Sequence, residues 1–124
     1  MKKEDLEKVL SDIISTVGIP ANIRGYKFLR EAIKSVVKNQ LLATAITKKL
    51  YPQVAEEFQT TSSKVERAIR HAIDVGYNAG KMTNINNIFG INILEKYERP
   101  SNGQFIAIVA ERLVLNGYWL CYVL

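Results

Sequence analysis

The chain has few of the residues that stabilise secreted proteins and none of the long apolar runs that enter membranes. Cys121 is the single cysteine among 124 residues, which excludes an internal disulfide and a cysteine-based metal site. No apolar run reaches the roughly 20 residues that a membrane-spanning helix needs. The residues after Met1 also lack the apolar core of a signal peptide. These absences predict a cytoplasmic protein with no membrane partner.

Catalytic constellations are also scarce. His71 is the single histidine, and no serine or cysteine arrangement accompanies it. Glu56 and Glu57 are neighbouring carboxylates, but adjacent residues of a helix point about 100° apart and cannot easily share a substrate. Glycine-rich phosphate loops and metal-ligand spacings are absent. The sequence therefore predicts a protein that is not an enzyme and that uses no cofactor and no metal.

What the sequence does have is an unevenly placed positive charge. The net charge is +5, and residues 21–51 alone carry seven lysines and arginines against one acid, Glu31. Such a segment can neutralise the phosphates of a nucleic acid, although a solvated basic face explains the clustering equally well. The length and the 48% hydrophobic content predict one globular domain with a single core.

Apolar residues at helical spacing predict helices over residues 3–17, 22–38 and 41–50. Pro52 is tolerated in the first turn of a helix but not in its interior. A short helix therefore either begins near Pro52 or continues the third helix through a kink. The pattern predicts an all-α fold, a compact bundle of about six helices.

The second half of the chain predicts three further helices. They cover residues 62–78, residues 84–90 with Ile85, Ile88 and Phe89 inward, and a last helix after the loop at residues 100–103, with residues 91–99 irregular.

The end of the last helix has two interpretations. Asn116-Gly117 between β-forming residues is a hairpin signal, whereas Gly117 can equally terminate a helix. We favour a helix to about Leu115, because residues 105–113 are well patterned. Residues 118–124 would then form an apolar end of strand-like composition.

Residues 55–78 show the order of a helix-turn-helix: a short helix, a polar turn and a longer helix. Thr61 or Ser62 is the predicted N-cap of the longer helix. An ordinary amphipathic surface helix would show the same periodicity. The outward face, however, carries groups suited to phosphates and base edges, namely Ser63, Lys64, Glu66, Arg67, Arg70, His71 and Asp74.

Several stretches are more specific than a helical hairpin. They are Gly18-Ile-Pro-Ala-Asn-Ile-Arg-Gly-Tyr26, Leu29-Arg-Glu-Ala-Ile33, Ile46-Thr-Lys-Lys-Leu-Tyr-Pro52 and Val65-Glu-Arg-Ala-Ile-Arg-His-Ala-Ile73, with shorter matches at Phe89-Gly90, Pro100-Ser-Asn and Phe105-Ile-Ala107. Together they resemble the C-terminal DNA-binding effector domain of the stage-zero sporulation master response regulator family. The resemblance covers about residues 5–115.

The resemblance implies a six-helix bundle whose recognition helix, residues 62–78, binds double-stranded DNA at a box with core TGTCGAA and regulates sporulation genes. It implies base contacts by Lys64, Glu66 and Arg70, and backbone contacts by Ser63, Arg67 and His71. It also implies tandem homodimers on DNA. Contact with an RNA polymerase sigma factor is implied for the segment containing Lys81, Asn84, Asn86 and Asn87.

The sequence departs from the family pattern at two places. Lys64 stands where the family usually has arginine, so a two-pronged guanine contact becomes a point charge. The apolar end replaces a charged segment, and we therefore divide the chain into a DNA-binding domain, residues 1–116, and a C-terminal tail, residues 117–124. No receiver domain is expected within this chain.

A protein-interaction module is the alternative function. Such a domain would bind a sigma factor or a full-length family member without specific DNA reading. The polar outer face of residues 62–78 argues against it, because a pure interaction module has little need for Glu66, Arg67, Arg70 and His71 there.

Overall fold

Helix α2 (Arg24–Lys38) is the centre of the bundle. In the computed structural model, which describes residues 2–123, nine of its fifteen residues are buried. It packs against α1 (Lys3–Thr16), α4 (Ser62–Asn78) and α6 (Asn102–Leu115). Because α2 is covered on several sides, its apolar residues occupy more than one face, and its basic side chains are left at the remaining surface.

The remaining elements are short. They are a 3₁₀ segment at Gln40–Thr44, a π turn at Ile46–Leu50, α3 (Tyr51–Glu57), α5 (Asn84–Phe89) and a 3₁₀ turn at Tyr118–Tyr122. Six α-helices and no strand lie within residues 2–123. The predicted all-α bundle with a helix-turn-helix is confirmed. Across the same residues, no helix is long and apolar enough to cross a bilayer.

The segment before α3 combines the two predicted alternatives, a helix that begins near Pro52 and a kinked continuation of the third helix. The π turn runs directly into α3, and Pro52 lies in the first turn of α3. The backbone N–H of Leu50 donates to the carbonyl of Ala45 at 3.1 Å, a five-residue step. A proline ring collides with the carbonyl four residues earlier in a regular helix, and the wider turn gives that ring room. The predicted regular helix over residues 41–50 was therefore wrong.

Two details of the C-terminal half differ from the sequence prediction. Ile88 was expected to point inward, but it is 37% exposed, while Ile85 is fully buried. Helix α5 has only six residues, too few for two apolar turns to face one core. The tail is a 3₁₀ turn rather than a strand, and Gly117 takes a left-handed conformation (φ 86°) that ends α6. The preferred helix to Leu115 is confirmed.

The tail folds back onto the bundle. Its 3₁₀ turn packs against α1, α2 and α6, and Cys121 is buried there. Tyr122 receives the ammonium groups of Lys3 and Lys38 over its ring, at 5.6 and 5.7 Å from the centroid. Burial raises the pKa of Tyr122 to about 12. The tail therefore forms part of the packed structure on the side of α1 and α2.

Gly25 allows α2 to lie unusually close to α4. A Cβ atom at residue 25 would lie 2.2 Å from the carbonyl oxygen of Ala68 and 2.6 Å from the Cβ of Ala72. Real Cβ atoms do not approach neighbours this closely, so the two helices would have to separate. Gly76, near the end of α4, likewise allows α4 to approach the end of α1. A Cβ atom there would lie 2.5 Å from the carbonyl oxygen of Val17.

We expect Gly25→Ala to lower the free energy of unfolding by about 2 kcal/mol, because overpacking displaces α4. Gly103→Ala is the control: its Cβ would lie 3.7 Å from Ile46 Cγ1, an ordinary contact. Since alanine is the better helix former, that variant should be as stable as the parent or up to about 1 kcal/mol more stable. Chemical denaturation of both variants measures the difference. Equal stabilities would contradict the close-approach argument.

Deleting residues 117–124 should lower the free energy of unfolding by roughly 2–4 kcal/mol, since it exposes apolar surface of α1, α2 and α6. The exposed face of α4 is untouched, so we expect nucleic-acid affinity to persist. Val123→Ser, at a side chain that is 62% exposed, is the matched control and should change neither quantity. Complete loss of folding on deletion would show that the domain boundary after residue 116 is wrong.

Candidate nucleic-acid interface

Helix α3, a four-residue turn and α4 form the helix-turn-helix. The turn closes α3 through a hydrogen bond from the N–H of Thr60 to the carbonyl of Ala55, at 2.9 Å. Gln59 then takes a left-handed conformation with φ 53°, which costs a residue with a side chain about 1 kcal/mol. Thr61 caps α4 by accepting a hydrogen bond from the N–H of Lys64 at 3.3 Å. The chain therefore reverses within four residues and presents α4 at the surface.

The predicted bounds of the recognition helix, residues 62–78, are those observed for α4. Its inner face is buried and made of branched and small residues: Val65, Ile69, Ala72, Ile73 and Gly76. The six predicted DNA-contacting side chains all lie away from this face. Glu66 is half-buried, and the exposed ones are Ser63, Lys64, Arg67, Arg70 and His71.

The outer surface of α4 divides into two sides. The Arg67 side, which we define as Lys64, Arg67 and His71, lies along a groove between α4 and the start of α2. Asn22 and Arg24 line the opposite wall of that groove, and no acidic side chain of the described residues does. The groove is therefore lined by three positive charges, those of Arg24, Lys64 and Arg67.

The first turn of α2 adds to the positive potential of the groove. Its N-cap residue is Ile23, which provides no side-chain cap, and no acidic residue occupies the first turn. The free N–H groups of a helix start attract anions. Lys27, one turn along, places its ammonium 5.2 Å from the ring centre of Phe58, at the beginning of the helix-turn-helix turn.

The other side of α4 carries charges of both signs. This Glu66 side, which we define as Glu66, Arg70 and Asp74, lies beside a groove lined by α3 and the start of α6. Glu66 and Arg70 form an ion pair across one helical turn. Exposed pairs of this kind contribute only about 0.3–0.5 kcal/mol, so either partner can exchange the other for a base at little cost.

The residues expected to contact a sigma factor divide into two groups. Lys81 and Asn87 are exposed. Asn84 donates from its side chain to the carbonyl of Thr16 at 2.9 Å and so caps the end of α1. Asn86 holds the following loop: its side-chain oxygen accepts from the N–H groups of Ile93 and Leu94, and its nitrogen donates to the carbonyl of Leu94.

Sequence reasoning missed several residues at this interface. Asn22 was not assigned a role, and Arg24 was included only as part of the basic segment at residues 21–51. Arg99 was not assigned a role either, although it pairs with Asp74 on α4. The places of these three residues do not follow from local spacing. They depend on how α2, and the segment that leads into α6, pack against α4.

The family described as Sporulation initiation factor Spo0A C terminal matches residues 10–113, most of the chain. The chain belongs to this family. The match confirms the resemblance seen in the sequence and includes the whole helix-turn-helix. The Spo0A C-terminal domain is a DNA-binding regulatory domain of a sporulation transcription factor rather than an enzyme family. The tail, residues 117–124, lies outside the matched region.

Because the Arg67 side and Arg24 face one groove, we expect DNA affinity to depend strongly on salt. About five neutralised phosphates would give a slope of log K against log salt near −4 to −5. Arg24→Ala should reduce the magnitude of that slope by about 1. Lys8→Ala removes the same charge from an exposed position beside the tail and should leave the slope unchanged. Equal effects of the two variants would show that net charge alone acts.

Proposed function

We propose that this domain activates or represses sporulation genes by recognising a short TGTCGAA-type box with α4 in the major groove. The observation that carries the proposal is the carboxylate of Glu66, which lies among the basic side chains of the first half of α4. Glu66 lies one helical turn from Arg70 and next in sequence to Arg67. A carboxylate can only accept hydrogen bonds, so it weakens attraction to phosphates. Its presence is explained if it accepts from a cytosine amino group.

The two sides of α4 separate Glu66 and Arg70 from Arg67 and His71, whereas the base contact of Lys64, on the Arg67 side, rests on the family resemblance. We assign base contacts to Lys64, Glu66 and Arg70, and backbone contacts to Ser63, Arg67 and His71. Arg67 and His71 face the groove beside α2, where a phosphate strand would meet basic side chains and no acid among the described residues. Arg70 can turn from Glu66 to a guanine, whose O6 and N7 suit the guanidinium fork.

Two further contacts belong to the proposal. Tandem copies of the domain would bind neighbouring boxes as homodimers. A sigma factor would approach the segment of Lys81 and Asn87, which are exposed. Asn84 and Asn86 would act there mainly by holding the segment in shape, because their amides already bind Thr16 and the loop at residues 92–94.

The test is binding of variants to the box and to each single-base change of it. Glu66→Ala and Arg70→Ala should each lose about 1–3 kcal/mol for the box and relax the preference at one base position. Arg67→Ala should weaken all sequences evenly. Lys64→Arg should tighten binding to the box, because arginine restores a two-pronged donor.

Glu111→Ala is the charge-matched control for Glu66→Ala, since Glu111 is exposed on α6. It should not alter the preference at any base. If Glu66→Ala instead tightens binding to every sequence by one common factor, Glu66 is only a repulsive surface charge. Helix α4 would then bind the DNA backbone without reading sequence.

A further inference from the structure

Asn102 is one of the two buried polar residues among residues 2–123, with 8% of its surface exposed. It is the first residue of α6, directly after the N-cap Ser101. Ser101 and Gln104 complete the capping of α6 between themselves. The side chain of Asn102 is therefore not needed for that cap and points to other elements.

The amide nitrogen of Asn102 joins three helices. It donates to the hydroxyl of Tyr51 on α3 at 3.1 Å and to the backbone carbonyl of Glu66 on α4 at 3.0 Å. Burial raises the pKa of Tyr51, so its hydroxyl stays protonated and neutral. Both amide N–H groups lie in one plane at a fixed angle, so the two acceptors are held in a fixed relation. The two members of the helix-turn-helix are thus tied to each other through α6.

Arg99 makes a parallel contact one turn along α4. Its Nη2 donates to the carbonyl of Arg70 at 3.3 Å, and its Nε pairs with the carboxylate of Asp74. We call residues 99–102 the α6 clamp. The clamp contacts α4 at residues 66, 70 and 74, which lie on one side of the helix because they are four residues apart.

The clamp holds the backbone of the Glu66 side only. The carbonyls that it binds belong to Glu66 and Arg70, two of the three residues proposed to read bases. The Arg67 side faces the first residues of α2 instead of the clamp. Direct readout requires side chains placed within about 0.5 Å of the productive geometry, which supporting hydrogen bonds provide. Phosphate contacts tolerate larger displacements, since they depend mainly on charge.

We propose that Asn102 is a positioning residue for base recognition: its buried amide fixes the backbone of Glu66 to the start of α6 and so sets the angle at which α4 enters the major groove. The inference rests on the proposed reading of bases by Glu66 and Arg70. It assigns a DNA-recognition role to a residue that has no access to DNA.

The experiment must separate positioning from stability. Asn102→Leu removes the donors but leaves the buried hydroxyl of Tyr51 unpaired, which destabilises the fold. The double variant Asn102→Leu with Tyr51→Phe makes both positions apolar and should recover much of that stability. It still lacks the hydrogen bond to the Glu66 carbonyl. Tyr51→Phe alone keeps that bond and is the matched control.

Affinity is measured for the box, for its single-base changes and for a random duplex, at a temperature where circular dichroism shows every variant folded. In the double variant, the ratio of box to random affinity should fall by about tenfold, the effect of about one lost base contact. Affinity for the random duplex should be unchanged. The loss should occur at the base positions where Glu66→Ala and Arg70→Ala lose discrimination. Tyr51→Phe alone should keep the parent ratio.

Leu10→Ala serves as a second control, because it opens a cavity under α1, which packs mainly against α2, α5 and the tail. It should lower stability and keep the ratio. If the double variant also keeps the parent ratio, Asn102 supports folding alone and the proposal is wrong. If the parent itself binds the box no better than random DNA, base reading fails, and the role of Asn102 fails with it.

Discussion

The contact between α2 and α4 at Gly25 determines the shape of the whole interface. With no side chain at residue 25, the carbonyl of Ala68 and the methyl of Ala72 occupy that space. Gly76 allows an equally close approach to the end of α1. Helix α4 is therefore seated deeply against α1 and α2, and both of its edges come beside neighbouring elements. One edge meets Arg24, and the other meets Arg99.

The helices could be predicted from the sequence because buried residues repeat with the period of an α-helix. The bounds of α4 were predicted correctly, since Thr61 caps its start and Gly80 takes the left-handed conformation after its end. Residues 40–50 could not be predicted in the same way. Their short 3₁₀ and π segments follow no single period, and the π turn reflects the steric demand of Pro52 on the chain before it.

The interface was predictable to a smaller extent. The polar face of α4 follows from composition and spacing, and an ion pair between Glu66 and Arg70 follows from their four-residue separation. The hydrogen-bond partners of Asn102 could not be predicted, because Tyr51 and Glu66 lie 51 and 36 residues away in the sequence. Asn86 was assigned a role from the sequence, but its residue type did not show which kind of contact its amide makes. An asparagine suits either a partner contact or an internal turn, and only the fold reveals that its amide binds the loop at residues 92–94.

The hydrogen bonds that support α4 at residues 66 and 70 end on backbone carbonyl oxygens rather than on side chains. Every amino acid carries such an oxygen, so the support is indifferent to the residue type at either position. Under the proposed function, substitution at residue 66 or 70 would therefore change which base is preferred while the hydrogen bonds that hold the helix stay the same. The buried positions of α4 are separate from these, at residues 65, 69, 72, 73 and 76. Under the same proposal, new operator preferences would be accessible, in evolution or in the laboratory, by changes that leave the core intact.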